Sequence, residues 1–317
     1  MDFKQLQTFV QVADLGSFTR AANVLRVAQP ALSRQVRALE VELRQTLFDR
    51  NGRGVTLTPA GQRLLAHGRG ILQQVERARQ DLDEHRGAAT GLLSIGLPPS
   101  VGRALTAPLV ETFRERFPKA QLTMMEGLST YALEWLAQGR IDCAVVYNAT
   151  PSAAFELQPV LEEPLYLVSA RSGNGTKLVG RPVTLAELAQ HELAIPSRPH
   201  AIRMRLEAAL AEARLKPRVG LEIDSVPAIL DLVQRHPLHA VLSLNAIAGS
   251  GSATRLRARP VVAAPGRRPL AASLWIATSA QRPRGPLLEQ ALPLLAGLLS
   301  TRLGMAHSSE GLEAGPA

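Results

Sequence analysis

The stretch that most constrains this chain is residues 17–59, SFTRAANVLRVAQPALSRQVRALEVELRQTLFDRNGRGVTLTP. Its spacing predicts a short helix, a tight turn, a second helix and then a basic loop. A hydroxyl at Ser17 or Thr19 can accept from the free N–H groups of a first helical turn. Ala21, Ala22 and Leu25 follow at helical spacing. Val27, Ala28 and Gln29 form a break, and Pro30 suits the first turn of the next helix, where its missing N–H costs nothing. In that second helix Leu32, Val36, Leu39 and Leu43 recur every three to four residues and should face a core. The opposite face carries Gln29, Ser33, Arg34 and Arg37. The loop Arg50-Asn51-Gly52-Arg53-Gly54 then sets two arginines on a Gly-rich turn beside a short strand, Val55–Leu57.

This order of elements matches a winged helix-turn-helix, which lays the start of its second helix in the major groove of DNA. Gln29, Ser33, Arg34 and Arg37 are side chains that read base edges or hold phosphates. From Arg20 to Arg69 there are nine arginines against Glu40, Glu42 and Asp49, most of the chain's net charge of +9. A small helical domain with a solvated basic face is the plain alternative; the turn, amphipathic helix and basic loop in sequence favour DNA.

The same residues carry a resemblance. Phe9-Val10, Ser17-Phe18-Thr19-Arg20-Ala21-Ala22, Ala28-Gln29-Pro30-Ala31-Leu32-Ser33-Arg34-Gln35-Val36, Leu47-Phe48-Asp49-Arg50 and Leu57-Thr58-Pro59-Ala60-Gly61 resemble the N-terminal domain of the LysR-type transcriptional regulators. The order of later elements extends the resemblance over about residues 1–300. It implies double-stranded DNA as partner, contacted by Thr19, Arg20, Gln29, Pro30, Ser33, Arg34, Arg37, Arg50 and Arg53. It also implies a homodimer or homotetramer, admits RNA polymerase as a further partner, and implies no cofactor beyond a small-molecule effector.

Of the 36 basic residues only four are Lys, so the positive balance alone is a weak pointer to nucleic acid. Aromatics make up 4% of the chain, so its cores must be aliphatic. MDFKQLQTF lacks the form of a signal peptide. No stretch reaches the roughly 18 apolar residues of a spanning helix, and Cys143 is the single cysteine. A soluble cytoplasmic protein with no membrane partner is expected.

Residues 2–15 read as a first helix with Phe3, Leu6, Phe9, Val10 and Ala13 on one face, giving a DNA-binding domain over 1–58. Thr58-Pro59 caps a linker helix over 59–87. Leu64, Gly68, Ile71, Val75, Ala78 and Leu82 follow a heptad seam there, with Leu64, Ile71, Val75 and Leu82 as dimerisation residues. Packing on its own domain is the alternative. Gly87–Gly91 reads as a hinge.

Beyond it, strands at Leu92–Leu97, Gln121–Met125 and Ile141–Tyr147 alternate with helices over 101–116 and 130–138, which argues for a parallel sheet with crossovers. Strands at Glu156–Leu161 and Leu165–Ser169 follow. A second unit has helices over 184–190, 200–214 and 225–235, and strands at Glu192–Ile195, Val219–Ile223 and Ala240–Ser243. Arg255–Val262 and Ala271–Thr278 read as strands, 286–300 as a final helix, and 304–317 as a disordered tail.

The expected fold class is α/β, with an all-α-type winged helix-turn-helix in front of the linker helix. The α/β part, 91–303, divides into subdomain I (about 91–162 and 268–303) and subdomain II (about 163–267). The resemblance implies the effector-binding architecture shared with periplasmic solute-binding proteins.

Ligands of open α/β sheets bind beyond the carboxyl ends of strands, at the starts of the following helices, where free N–H groups suit anions. Pro98-Pro99-Ser100, Gly127-Leu128-Ser129-Thr130 and Pro196-Ser197-Arg198-Pro199-His200, with Arg203 one turn on, occupy such places. Ser100, Ser129, Asn148, Ser197 and His200 are the candidate contacts for a small, anionic effector. Helix capping is the alternative role for each serine.

His236 and His239 read as surface residues. No P-loop, no glycine fingerprint after a strand, no metal-ligand spacing among the seven His and no nucleophile constellation points to an enzyme; Cys143 reads as a core thiol. A solute-binding protein is the rival reading, but it leaves residues 1–86 without a purpose.

Overall fold

A computed structural model describes the chain except residues 52–53, 84–89, 172–177, 249–252 and 305–317. The residues read as a hinge at 87–89, Arg53 and the tail from 305 onward lie outside the described residues. The chain forms two compact units, one N-terminal and one C-terminal.

The N-terminal unit begins with α1 (Phe3–Leu15), held at its start by a capping box in which Asp2 accepts from the Gln5 amide and Gln5 accepts from that of Asp2. Gly16 ends it in the left-handed region, at φ 60°. α2 (Phe18–Leu25) is capped by Ser17, whose hydroxyl accepts from Arg20 N at 3.3 Å. Of the two starts the sequence allowed, this is the earlier. α3 (Gln29–Leu43) follows, with Pro30 in its first turn.

Leu6, Phe9, Phe18, Leu32, Val36 and Leu39 are buried together. Phe48 closes this core, with ring centroids 5.2 Å from Phe9 and 5.7 Å from Phe18. Phe48 opens β1 (Phe48–Asn51), which pairs antiparallel with β2 (Gly54–Leu57) to make the wing a hairpin.

α4 (Pro59–Asp83) starts where Thr58 Oγ1 accepts from Gly61 N at 3.0 Å. The heptad seam divides. Leu64 packs on the N-terminal core, and Gly68 lies against Leu6 and Val10 of α1. Val75 is half-buried, whereas Ile71 is 42% exposed. Phe3, expected on the buried face of α1, is also exposed.

The C-terminal unit runs β3 (Gly91–Leu97), α5 (Pro99–Arg116), β4 (Ala120–Glu126), α6 (Ser129–Ala137), β5 (Cys143–Tyr147), β6 (Phe155–Ala170), β7 (Val183–Thr184), α7 (Leu185–Leu188), β8 (Glu192–Ile195), α8 (Ala201–Glu212), β9 (Arg218–Glu222), α9 (Val226–Arg235), β10 (Ala240–Ser243), α10 (Leu244–Ala248), β11 (Leu256–Val262), β12 (Ala271–Ser279) and α11 (Pro286–Gly304). The main sheet has the order β4-β3-β5-β12-β6-β11-β7, with β10 also on β6; β8 and β9 pair separately. β3, β4 and β5 are parallel, as expected, but β12 enters antiparallel between β5 and β6.

The two strands expected at Glu156–Leu161 and Leu165–Ser169 are one 16-residue strand. Its prolines, which have no N–H to donate, lie where pairing is irregular or ending. Pro159 faces Trp275 at a bulge, and Pro164 meets Ala271 at the start of β12. Residues 155–164 pair with β12, and from Leu165 onward β6 pairs with β10 and β11.

His239, expected at the surface, is half-buried, with its ring centroid 4.1 Å from that of His191. Its peptide N–H and C=O tie β8 to β10, through Glu192 O and Ala194 N. Cys143 is buried, as expected of a core thiol.

Candidate nucleic-acid interface and ligand cavity

In the N-terminal unit Gln29, Arg34 and Arg37 are exposed along α3, and Ser33 is half-buried among them. None of the four is consumed by a structural hydrogen bond or ion pair among the described residues. Pro30 and Thr19 are exposed as well. Arg20 is engaged within its own unit, donating from Nη2 to the Leu15 carbonyl. Arg50 is placed by its backbone in β1, opposite Val55. Glu40 turns inward instead, accepting from Leu47 N at 2.8 Å and Phe48 N at 3.3 Å, so the exit of α3 is fixed. The polar face of α3 thus stands on a helix pinned at its C-terminal end.

The C-terminal unit contains a cavity of about 540 Å³. Its wall is made by Pro98, Pro99, Ser100 and Arg103 at the start of α5, Glu126, Leu128 and Ser129 between β4 and α6, and Tyr147 at the end of β5. His200 and Ala201 at the start of α8, Asp224–Pro227 at the start of α9 and Ala246 of α10 complete it. The parallel strands β3, β4 and β5 all deliver their carboxyl ends here, where a sheet of this kind presents its binding groups.

The cavity brings together three of the five expected residues. Ser129 Oγ accepts from Tyr147 N at 2.9 Å, so its own proton remains available. Ser100 Oγ stands 3.5 Å from Tyr147 Oη. His200 caps α8, its Nδ1 accepting from Ile202 N at 3.3 Å.

Asn148 and Ser197 do not line the cavity. Asn148 sits in the left-handed region at φ 49°, which Asn tolerates. Its amide accepts from Ser273 N at 3.0 Å and donates to Ala201 O at 3.3 Å, so it joins β5 to β12 and α8. Ser197 gives both its N–H and its hydroxyl to Asp224 Oδ1, and Asp224 is the residue that reaches the wall. Arg203 is buried and taken up by Glu207 and Glu222, each at 2.9 Å, and by the Pro196 carbonyl at 3.0 Å. It anchors the loop before α8.

Arg103, Glu126, Tyr147 and Asp224 are among the wall residues not expected from the sequence. Arg103 follows Ser100 by one helical turn, a spacing that could have found it. Asp224 follows β9, another parallel strand end. Tyr147 is the one polar tip of an otherwise apolar strand.

The charges follow from these surroundings. Burial pushes the His200 imidazole down and Asp224 opposes this, so the ring is neutral near pH 7. The hydroxyl and N–H of Ser197 hold the Asp224 carboxyl below its ordinary range. Burial first, then the Glu163 carboxylate, pushes the Tyr147 phenol up, so it keeps its proton. Among the described residues no cluster of three or more His, Cys, Asp or Glu could hold a metal ion, and no helix is long and apolar enough to cross a membrane.

Residues 3–62 match the family model described as the bacterial regulatory helix-turn-helix protein, lysR family, and residues 86–299 match the LysR substrate binding domain. The chain belongs to the LysR family. It is a LysR-type DNA-binding transcriptional regulator with an effector-binding domain, and its relatives are regulators rather than enzymes.

The nitrogen assimilation regulatory protein nac of Klebsiella aerogenes is 38% identical over 230 residues, covering 72% of this chain and 74% of that protein. The Escherichia coli protein of the same name matches to the same extent. Among solved structures, full-length OxyR from Pseudomonas aeruginosa superposes with a TM-score of 0.68 at 23% identity, covering 100% of this chain and 99% of that one. CbnR complexed with its target DNA superposes with a TM-score of 0.67, also at 23% identity, covering 94% and 100%. These two likenesses concern the fold. LysR regulators bind DNA, form oligomers and take small effectors through the substrate-binding domain.

Proposed function

We propose that this LysR-type regulator reads its operator with Gln29, Ser33 and Arg34 of α3, while Arg37 and the wing arginines Arg50 and Arg53 hold phosphates. Residues 1–58 act as the DNA-binding domain and 59–87 as the linker that joins two subunits through Ile71, Val75 and neighbouring positions. The remainder, 91–303, is the sensor, with subdomain I at about 91–162 and 268–303 and subdomain II at about 163–267. A small molecule held between them changes the relation between subunits, and so the spacing or bend of the DNA they hold. RNA polymerase is the partner through which that change would act on transcription.

The observation that carries the sensing reading is the cavity at the joined carboxyl ends of β3, β4 and β5, closed on its other side by α8, α9 and α10. A specific ligand raises the melting temperature by mass action. In a thermal-shift screen of small metabolites, Val226→Trp, which fills the cavity from the start of α9, should abolish the hit and leave operator binding intact. A hit that survives in Val226→Trp would place the ligand elsewhere.

A further inference from the structure

A line of hydrogen bonds runs from the cavity wall into the core of the C-terminal unit. Tyr147 Oη donates to Glu163 Oε2 at 2.6 Å. Asn245 Nδ2 donates to the other oxygen of the same carboxylate and also approaches the Leu303 carbonyl at 3.4 Å. Glu163 is fully buried. A carboxylate only accepts, so both partners must turn their protons toward it.

Tyr147 has one proton, and it is committed to Glu163. What its oxygen offers the cavity is therefore a lone pair. Ser100 Oγ, at 3.5 Å, is at the outer limit of a hydrogen bond. If Ser100 donates to Tyr147, its own lone pairs face the cavity; if it does not, those of Tyr147 do. Either way this part of the wall turns a lone pair toward the cavity.

Two carboxylates share the cavity with it. Glu126 lies against the first turn of α5, where a Cβ on Gly102 would collide with its carboxylate. Asp224 has given one oxygen to Ser197 and keeps the other.

Donors make up the rest of the polar wall. Arg103 has no hydrogen bond or ion pair among the described residues. α5 begins without a side-chain cap; Pro99 has no N–H and Gly102 N bonds the Pro98 carbonyl, so its open N–H groups are those of Ser100 and Val101. The Ser129 oxygen is occupied by Tyr147 N, which leaves its hydroxyl proton to donate.

We propose that the effector is a small zwitterion of the amino-acid class, its ammonium received by Tyr147 and Ser100 beside Glu126 and Asp224, and its carboxylate by Arg103 and Ser129. Tyr147 is the specificity-determining residue, and Glu163 is the positioning residue that makes it an acceptor. The inference rests on the cavity being the effector site, and it replaces a simple anion with a molecule carrying both charges.

Titration calorimetry on the full chain tests it with two matched pairs, glutarate with glutamate and hydrocinnamate with phenylalanine. In at least one pair the amino acid should bind roughly tenfold or more tightly than the acid lacking the amino group, the scale of a hydrogen bond to a charged group. Tyr147→Phe should bring that ratio toward one by weakening the amino acid alone. Since Tyr147→Phe also strips a buried carboxylate of a donor, Ser100→Ala serves beside it and should narrow the ratio in the same direction.

Equal or tighter binding of the amino-free acid overturns the inference. So does the absence of binding by all four compounds, or a ratio unchanged in both variants. Those results leave the cavity reading standing. Binding that persists in Val226→Trp removes the cavity reading itself.

Discussion

Gly68 of α4 rides directly on Leu6 of α1: a Cβ at Gly68 would stand 3.0 Å from Leu6 Cδ1 and 3.1 Å from Val10 Cγ2. α4 is thus seated on α1 by a position with no side chain. Gly68→Leu would force four extra carbons into a packed seam. It should cost about 1–3 kcal/mol, the usual penalty for overpacking, seen as a lower melting temperature of the N-terminal unit. A neutral or stabilising effect would mean that α4 lifts from α1 without loss.

The polar face of α3 makes a different kind of prediction. Arg34 is exposed and makes no structural bond among the described residues, so removing it should leave the fold unchanged. Arg34→Ala should lose about 1–3 kcal/mol of affinity for the operator, and less for random DNA at low salt. Gel shifts on both duplexes measure this. Equal losses on the two would reduce Arg34 to a phosphate contact.

Ile71 is the large apolar side chain that α4 leaves exposed in the middle of its seam. If a partner helix covers it, a charge there is buried without a counter-ion, which is costly. Ile71→Glu should shift the protein toward monomer and abolish tight operator binding, because two linked heads bind far better than one. Light scattering alongside a gel shift decides it. A variant that remains dimeric with normal operator affinity would remove Ile71 from the subunit contact.

His200 gives a pH dependence. Burial holds its folded pKa below the unfolded value of about 6.5. The unfolded chain therefore takes up the proton first. This contribution to stability is complete above about pH 6.5 and is lost as pH falls through that value toward the folded one. Protonation would also remove the Nδ1 lone pair that caps α8. His239 is shifted the same way, by burial and then by His191, so it adds to the slope. His200→Asn keeps a cap acceptor and does not titrate. Its melting temperature should fall less between pH 7 and 5 than that of the native chain; parallel curves would exclude His200 as a contributor.

Much of the fold was legible because local signals and tertiary packing agree. Ala240–Ser243 was read as a strand residue for residue, and Ser17 and Pro30 start helices as their chemistry dictates. The reading failed where a tertiary partner overrode a local signal. The break expected between Leu161 and Leu165 contains Pro164, but β12 begins opposite that proline and β6 runs on through it. Phe48 precedes Asp-Arg-Asn and carries no local sign of burial; only Phe9 and Phe18 make it a core residue.

Helix starts pointed to Ser100, Ser129 and His200, and all three stand in the cavity wall. Asn148 and Ser197 were named by the same rule and go to internal bonds, since short polar side chains find nearby backbone and carboxylate partners first. Tyr147 and Asp224 stand at strand ends, but their orientation has no local signal: one owes it to Glu163, the other to Ser197.

The continuity of β6 sets how the sensor can respond. Its first ten residues pair with β12 and its last six with β10 and β11, with no loop between. A door on a slack hinge swings freely and stores nothing. A single ribbon clamped in turn by two sets of neighbours behaves as a leaf spring: it flexes through a small angle and returns. A ligand in such a sensor would act through a small flexing of this one strand rather than by shutting an open jaw.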